Sequence, residues 1–272
     1  MKFEPEYILA REALLVALEA LAAHRGNLIL VGAQAIYLHV GDSKMSVPVM
    51  TTDADLALDA VTLGDDPEIG FVMRRAGFES GANPGQWISR KGIAVDLMVV
   101  PHQAGTTRKD ARAARLGSHE KQTARITKGL EPALVDHSLM AIDDLIDPSK
   151  TAVSLKVAGP AALIVAKGIK ISERIQSENL KIDRVRAKDA LDVFRILQNI
   201  ETDVLVDGFR KHQQDEDAAR VSMEALRFFG ESAVAKDSIV PLLASRAAQD
   251  DPLIAPSFTL LMAELLEAVP DL

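Results

Sequence analysis

Apolar side chains run almost all the way round residues 8–23 (ILAREALLVALEALAA), with Arg11, Glu12 and Glu19 marking a wet face, and the pattern predicts a helix closed near Gly26. The short run NLILV that follows opens onto Gly32, and AQAIYLHV after it has apolar residues at helical spacing, so the reading is strand, glycine turn, helix. Residues 41–50 (GDSKMSVPVM) have the composition of a loop. In TTDADLALDA the period switches to two: Asp53, Asp55, Ala57 and Asp59 project to one side of a strand and Ala54, Leu56 and Leu58 to the other. Residues 66–76 fit a helix with Pro67 near its start and Gly77 past its end, and residues 87–89 and 93–100 read as two strands around Arg90-Lys91-Gly92. A further helix is expected between a cap at Thr106 or Thr107 and Gly117. Residues 130–155 mix short apolar runs with Asp and Pro and read as strands and loops. Beyond Pro160 the period is helical: residues 160–175, 184–200, 202–209, 216–229, 239–248 and 257–268. The expected division is an α/β domain over 1–158 and a helical domain over 159–272.

Composition and charge narrow the chemistry. The chain has 272 residues and no cysteine, which excludes disulfide scaffolds, thiol nucleophiles and Cys-ligated metal centres. No stretch of about 18 apolar residues is free of charge, and the start carries two acids and no small-residue cleavage site. Neither a membrane span nor a secretory signal fits, and a cytoplasmic protein is expected. The net charge of −8 argues at first against a polyanionic partner. That charge is localised: residues 201–272 hold 14 acids and 6 bases, whereas residues 1–200 hold 25 of each. Within the neutral part, residues 108–128 carry seven bases and two acids, a segment able to follow phosphates without aromatic stacking.

The residues with most chemical content are Gly32, the pair Asp53 and Asp55, and Asp96 inside the apolar run IAVDLMVV. Carboxylates at i and i+2 of a strand share a face, near enough for one divalent cation, and an acid on a neighbouring strand extends the set of oxygen ligands. An Asp-x-Asp pair by itself is more often exposed loop or edge-strand charge. The glycine turn upstream and the acid in an apolar strand downstream change that weighting, because a carboxylate buried without a partner is costly. Asp59 stands at the strand end and reads as a solvated turn residue. The six histidines lack metal-ligand spacing and read as structural or surface groups.

Taken together these residues resemble the nucleotidyltransferase superfamily, and more closely its AbiEii-type branch, the MenT-like toxin component of type IV toxin–antitoxin pairs. The resemblance rests on VGAQAIYLH from Val31, TTDADL from Thr51, Lys167 in ALIVAKGIK, and the run Arg186-Ala-Lys188-Asp189-Ala-Leu-Asp192. It spans residues 27–197 and implies an α+β fold: a nucleotidyltransferase-like mixed sheet with flanking helices, then an all-α domain. It also implies Mg2+ (or Mn2+) on Asp53, Asp55 and Asp96, with Asp96 as a possible base. Lys167 would meet triphosphate oxygens and Asp189 would hold that lysine or help the acceptor, while Gly32, Ala33, Lys44 and Thr52 would contact the nucleotide. The substrate would be an NTP, the favoured acceptor a tRNA 3′ end contacted by Arg108, Lys109, Arg112 and Arg115, and a further partner a cognate antitoxin. Two positions depart from the pattern: Ala33 replaces a second Gly or a Ser, and Val49 stands where the family often has a base.

Other readings stay open on these residues. The acceptor is alternatively a small molecule such as an aminoglycoside, or a protein hydroxyl. A third reading is a catalytically silent nucleotide- or partner-binding module whose acidic helical tail is the working surface. Lys167, Lys170 and Arg174 fall on one helix face, which a solvated basic face also explains, and Lys188, Asp192 and Arg195 are spaced as surface ion pairs.

Overall fold

A computed structural model describes residues 4–41, 51–108, 110–147, 149–176 and 184–269, apart from the side chains of residues 184–186. It divides into two compact units, the first holding residues 1–35, 48–128 and 137–158 and the second residues 36–47, 129–136 and 159–272.

The first unit is built on one mixed sheet. Its strands are β1 (Leu28–Val31), β2 (Asp53–Leu58), β3 (Glu79–Ser80), β4 (Gln86–Ile88), β5 (Ala94–Val99), β6 (Arg125–Ile126), β7 (His137–Ile142) and β8 (Val153–Ala158). They lie in the order β3-β4-β5-β2-β1-β8-β7, with β6 on β5. β1 with β8, β2 with β5 and β5 with β6 are parallel, and the other pairs are antiparallel. Helix α1 (Pro5–Ala20) packs on β2 and β5 through Ala10, Ala13, Leu14, Ala17 and Leu18. Pro at the first turn costs it nothing, since the missing N–H is one the helix cannot use there. Arg11 departs from expectation: it is 2% exposed and belongs to the core rather than the wet face. Helix α1 also stops before the expected glycine, and Ala22–Asn27 follow as a tight 3-10 turn. Helix α3 (Ile69–Arg75) is capped by Glu68, whose carboxylate accepts from the amides of Gly70 and Phe71. Asp59 is a turn residue, its carboxylate accepting from the Val61 amide.

The helix expected over 106–117 does not form. Arg115 N–H bonds to the carbonyl of Ala104, Ala114 N–H to that of Ala124, and Ile126 N–H to that of Arg112. These bonds to distant chain draw the backbone into an irregular segment held against β6, and tertiary pairing overrides helix propensity. Within 130–155, strands β7 and β8 emerge because six residues of each pair in register, His137 with Ala158 through Ile142 with Val153.

The second unit is helical: α4 (Pro160–Gln176), α5 (Arg184–Asn199), α6 (Thr202–His212), α7 (Glu216–Ser232), α8 (Ile239–Ala247) and α9 (Ile254–Ala268). Helix α2 (Gly32–Val40) begins in the first unit's sequence and ends in the second's. Phe194 stacks on Phe258 with ring centroids 6.1 Å apart, and Phe209 and Phe229 fill the rest of the core. Gly168 admits Phe229, whose ring a Cβ at that position would meet at 2.7 Å. A buried polar chain crosses this core. The Asp136 carboxylate accepts from Lys211 Nζ (2.9 Å) and faces His212 Nε2 (3.5 Å), while His212 Nδ1 meets Ser222 Oγ (2.9 Å). Ser222 and His212 are fully buried, so this Asp-His-Ser series is a structural bond network without access for a substrate. No described helix is long and apolar enough to cross a membrane. The observed architecture is therefore α+β, a mixed sheet with flanking helices followed by a helical region.

Candidate functional site

The acidic face of the first unit is fixed by strand register. Val31, the last residue of β1, stands opposite Asp55 on β2, and Asp55 stands opposite Asp96 on the parallel strand β5. Because β2 alternates, Asp53 shares the face of Asp55, and both are half-buried while Ala54 and Leu56 are buried behind them. Asp96 is half-buried in the same way between buried Val95 and Leu97. The three carboxylates thus lie on one face of two adjacent strands.

Gly32 decides how close this face comes to the turn. Its φ is +70°, a conformation that penalises any side chain. A Cβ built there would lie 2.1 Å from Asp55 Oδ2, so the carboxylate occupies the space a side chain at 32 would need. The start of β2 is held from below: Arg11 Nε donates to Gln34 Oε1 (2.9 Å), and Gln34 Nε2 donates to the Asp53 carbonyl (3.1 Å). Arg11 is itself fixed by Tyr7 Oη (2.8 Å) and the Asp143 carbonyl (3.1 Å). Thr51 Oγ1 donates to Asp53 Oδ1 (2.8 Å), and Arg125 Nη2 donates to Asp96 Oδ2 (3.1 Å). Arg125, Gln34 and Thr51 were not among the expected site residues. For Thr51 the signal was present in its place beside the acids, whereas Arg125 is brought to Asp96 by the β5–β6 pairing alone.

Oxygen donors on one strand face suit Mg2+, which is held by one or two carboxylates together with substrate phosphates and water. Among the described residues no three acids or histidines are gathered closely enough to form a metal cluster by themselves. Asp53 and Asp55, two carboxylates on one face of β2, have the chemistry that fits such an ion. Thr52 is exposed, Ala33 is buried with its methyl in the core, and Lys44 and Val49 lie outside the described residues.

The second unit holds a different constellation. Lys167 Nζ donates to Asp189 Oδ1 (2.7 Å) and Asp192 Oδ2 (2.8 Å), bringing together the two residues expected to pair. Arg174 Nη1 donates to Asp189 Oδ2 (2.7 Å) and Lys170 Nζ reaches Asp189 Oδ1 (3.3 Å). Arg195 Nη1 donates to Asp192 Oδ1 (3.1 Å), with its guanidinium over the Tyr37 ring. Asp192 and Arg195 are not surface ion pairs: both are buried, because the polar stripe of α5 faces α4 rather than water. Burial opposes the charge on Lys167, but Asp189 and Asp192 outweigh it and its pKa is raised. Burial likewise opposes the Asp189 carboxylate, and Lys167, Lys170 and Arg174 together lower its pKa. Lys170 and Arg174 are the accessible members, with side chains 46% and 32% exposed.

In the basic segment Arg108 bonds to Asp110, Arg112 Nη2 donates to Asn83 Oδ1 (3.0 Å), and Arg115 and Lys121 are exposed. Lys109 lies outside the described residues. No family model matches the chain, and no curated protein matches it. Among solved structures the chain is similar to an antigenic nucleotidyltransferase-like protein from Paracoccidioides brasiliensis. The match has 14% identity and a TM-score of 0.37, and covers 78% of this chain and 92% of that one.

Proposed function

We propose that this chain is a nucleotidyltransferase that moves a nucleoside monophosphate from an NTP to an acceptor hydroxyl and releases pyrophosphate. The observation that carries the reading is the contact of Asp55 with the bare face of Gly32, in register with Asp96 and on one face with Asp53. Amides at the start of α2 would meet phosphate oxygens, since a glycine turn lets phosphate approach the backbone and a helix N-terminus favours negative charge. Asp53 and Asp55 would hold Mg2+ or Mn2+, which when bound supplies positive charge against the polyphosphate. Asp96, held at Oδ2 by Arg125, takes the proton of the acceptor hydroxyl on its carboxylate. Positioning and charge stabilisation provide most of such a transfer.

The favoured acceptor is a tRNA 3′ end, as in the AbiEii-type branch that the sequence motifs resemble, with a cognate antitoxin as protein partner and a cytoplasmic setting. Exposed Arg115 and Lys121, together with Arg108 and Arg112, supply the phosphate contacts this requires. Lys167 and Asp189 form, with Lys170 and Arg174, a charge-balanced cluster within the second unit.

The test is label transfer. The protein, Mg2+ and each α-labelled NTP are incubated separately with total tRNA, aminoglycosides and cell protein, beside Asp55→Ala. Label on tRNA that disappears in Asp55→Ala is expected. Transfer that survives the substitution would remove the site, and label on another acceptor would replace tRNA.

A further inference from the structure

The first unit carries a groove that shares no residue with the acidic face. Its volume is about 550 Å3, within the size range of small-molecule sites. One wall is a stripe of α1, with Leu9, Glu12, Ala13 and Val16 at helical spacing. Phe78, fully buried, lines it from the turn after α3, and the β4–β5 turn and the β7–β8 connection close it with Arg90 and Val153. Val16, 43% exposed and apolar, has its surface in this groove.

The charges on the lining do not cancel evenly. Lys91 pairs with Glu12 at 2.6 Å and Lys150 with Asp144 at 2.6 Å, which disposes of two cations and two acids. Arg25 and Arg90 have no carboxylate partner among the described residues. Arg25 donates through Nη2 to the Leu18 carbonyl (3.3 Å), but its Nε is buried and has no hydrogen-bond partner among the described residues. The rest of the Arg25 side chain is half-buried and lines the groove. Arg90 is laid across Gly77, whose φ is +90° and where a Cβ would sit 2.5 Å from Arg90 Nε. Glu19, exposed at the edge, is the one remaining acid of the lining.

We propose that this groove binds a small amphipathic anion, its apolar body against Leu9, Ala13, Val16 and Phe78 and its anionic head met by Arg25 and Arg90. Two guanidinium groups beside an apolar wall select a carboxylate, sulfonate or phosphate carried on a hydrocarbon or aromatic frame, since guanidinium offers a planar set of donors and is weakly hydrated. A purely apolar ligand leaves the arginines unanswered, and an inorganic anion leaves the wall in water.

The probe is anilinonaphthalene sulfonate, titrated by fluorescence and calorimetry against the full chain, with neutral anilinonaphthalene as comparison. One saturable site is expected. Arg90→Gln, an exposed position, should weaken the sulfonate by about tenfold or more and leave the neutral probe unchanged; Val16→Asp should weaken both. Arg90→Lys should recover part of the loss, with circular dichroism unaltered throughout. Unsaturable binding to the unsubstituted chain, sulfonate affinity indifferent to Arg90→Gln, or equal losses for the two probes would each overturn the proposal.

Discussion

The two units use aspartate in opposite ways. On the face of β2 and β5, Asp53, Asp55 and Asp96 are half-buried and arranged by strand register, with a hydroxyl on Asp53 and one guanidinium on Asp96. Between α4 and α5, Asp189 and Asp192 are buried and bonded to Lys167, Lys170, Arg174 and Arg195. Charge answered by buried cations holds α4 and α5 together, whereas the acids of the sheet face are half-buried on adjacent strands. The contrast is between a buried ion cluster and a half-buried strand face made of the same side chain.

The strongest test of that contrast is Asp192→Ala. Removing it leaves Lys167 and Arg195 partly unanswered in a dry core, and a loss of about 3–5 kcal/mol in urea unfolding is expected; a loss below 1 kcal/mol would show the cluster to be solvated. Asp55→Asn should do the reverse, lowering label transfer by about a hundredfold to a thousandfold while the unfolding midpoint moves little. A variant that loses stability and activity together would make Asp55 structural.

The pH dependence sharpens the same comparison. Asp189 has a pKa below its ordinary 3.8, so the stability it contributes is full above that value and lost as pH falls through the lowered pKa. Lys167 has a pKa above its ordinary 10.5, so its contribution is full below that value and lost only as pH rises through the raised pKa. Urea unfolding should therefore show a gap between the unsubstituted chain and Asp189→Asn that is constant from neutral pH down to about 4 and closes below it. A gap unchanged at the lowest pH would contradict the pairing. The smallest effect belongs to Lys170→Ala: its exposed ammonium at 3.3 Å from Asp189 should contribute under about 1 kcal/mol, and a larger loss would extend the buried cluster to it.

Much of this was legible before the structure. Period two across TTDADLAL located β2 and the shared side of Asp53 and Asp55, and helical period located α4 to α9. What failed did so for tertiary reasons. Residues 106–117 are rich in helix formers, yet their amides are taken by Ala104 and Ala124, partners that local propensity does not contain. Arg11 sits among apolar neighbours on α1, and only Gln34, Tyr7 and the Asp143 carbonyl explain why a guanidinium can be buried there. The spacing of Asp192 and Arg195 is the same for a pair in water and a pair in a core; the packing of α4 against α5 makes the difference. Arg125 was legible only as one base among seven, because the strand that carries it to Asp96 is two residues long.

The fit of Asp55 against Gly32 also sets a length gauge between two positions far apart in the chain. With Oδ2 already where a Cβ at 32 would stand, a side chain at 32 requires the Asp55 carboxylate to move. A side chain added at position 32 is therefore coupled to position 55, whose carboxylate must be displaced to admit it.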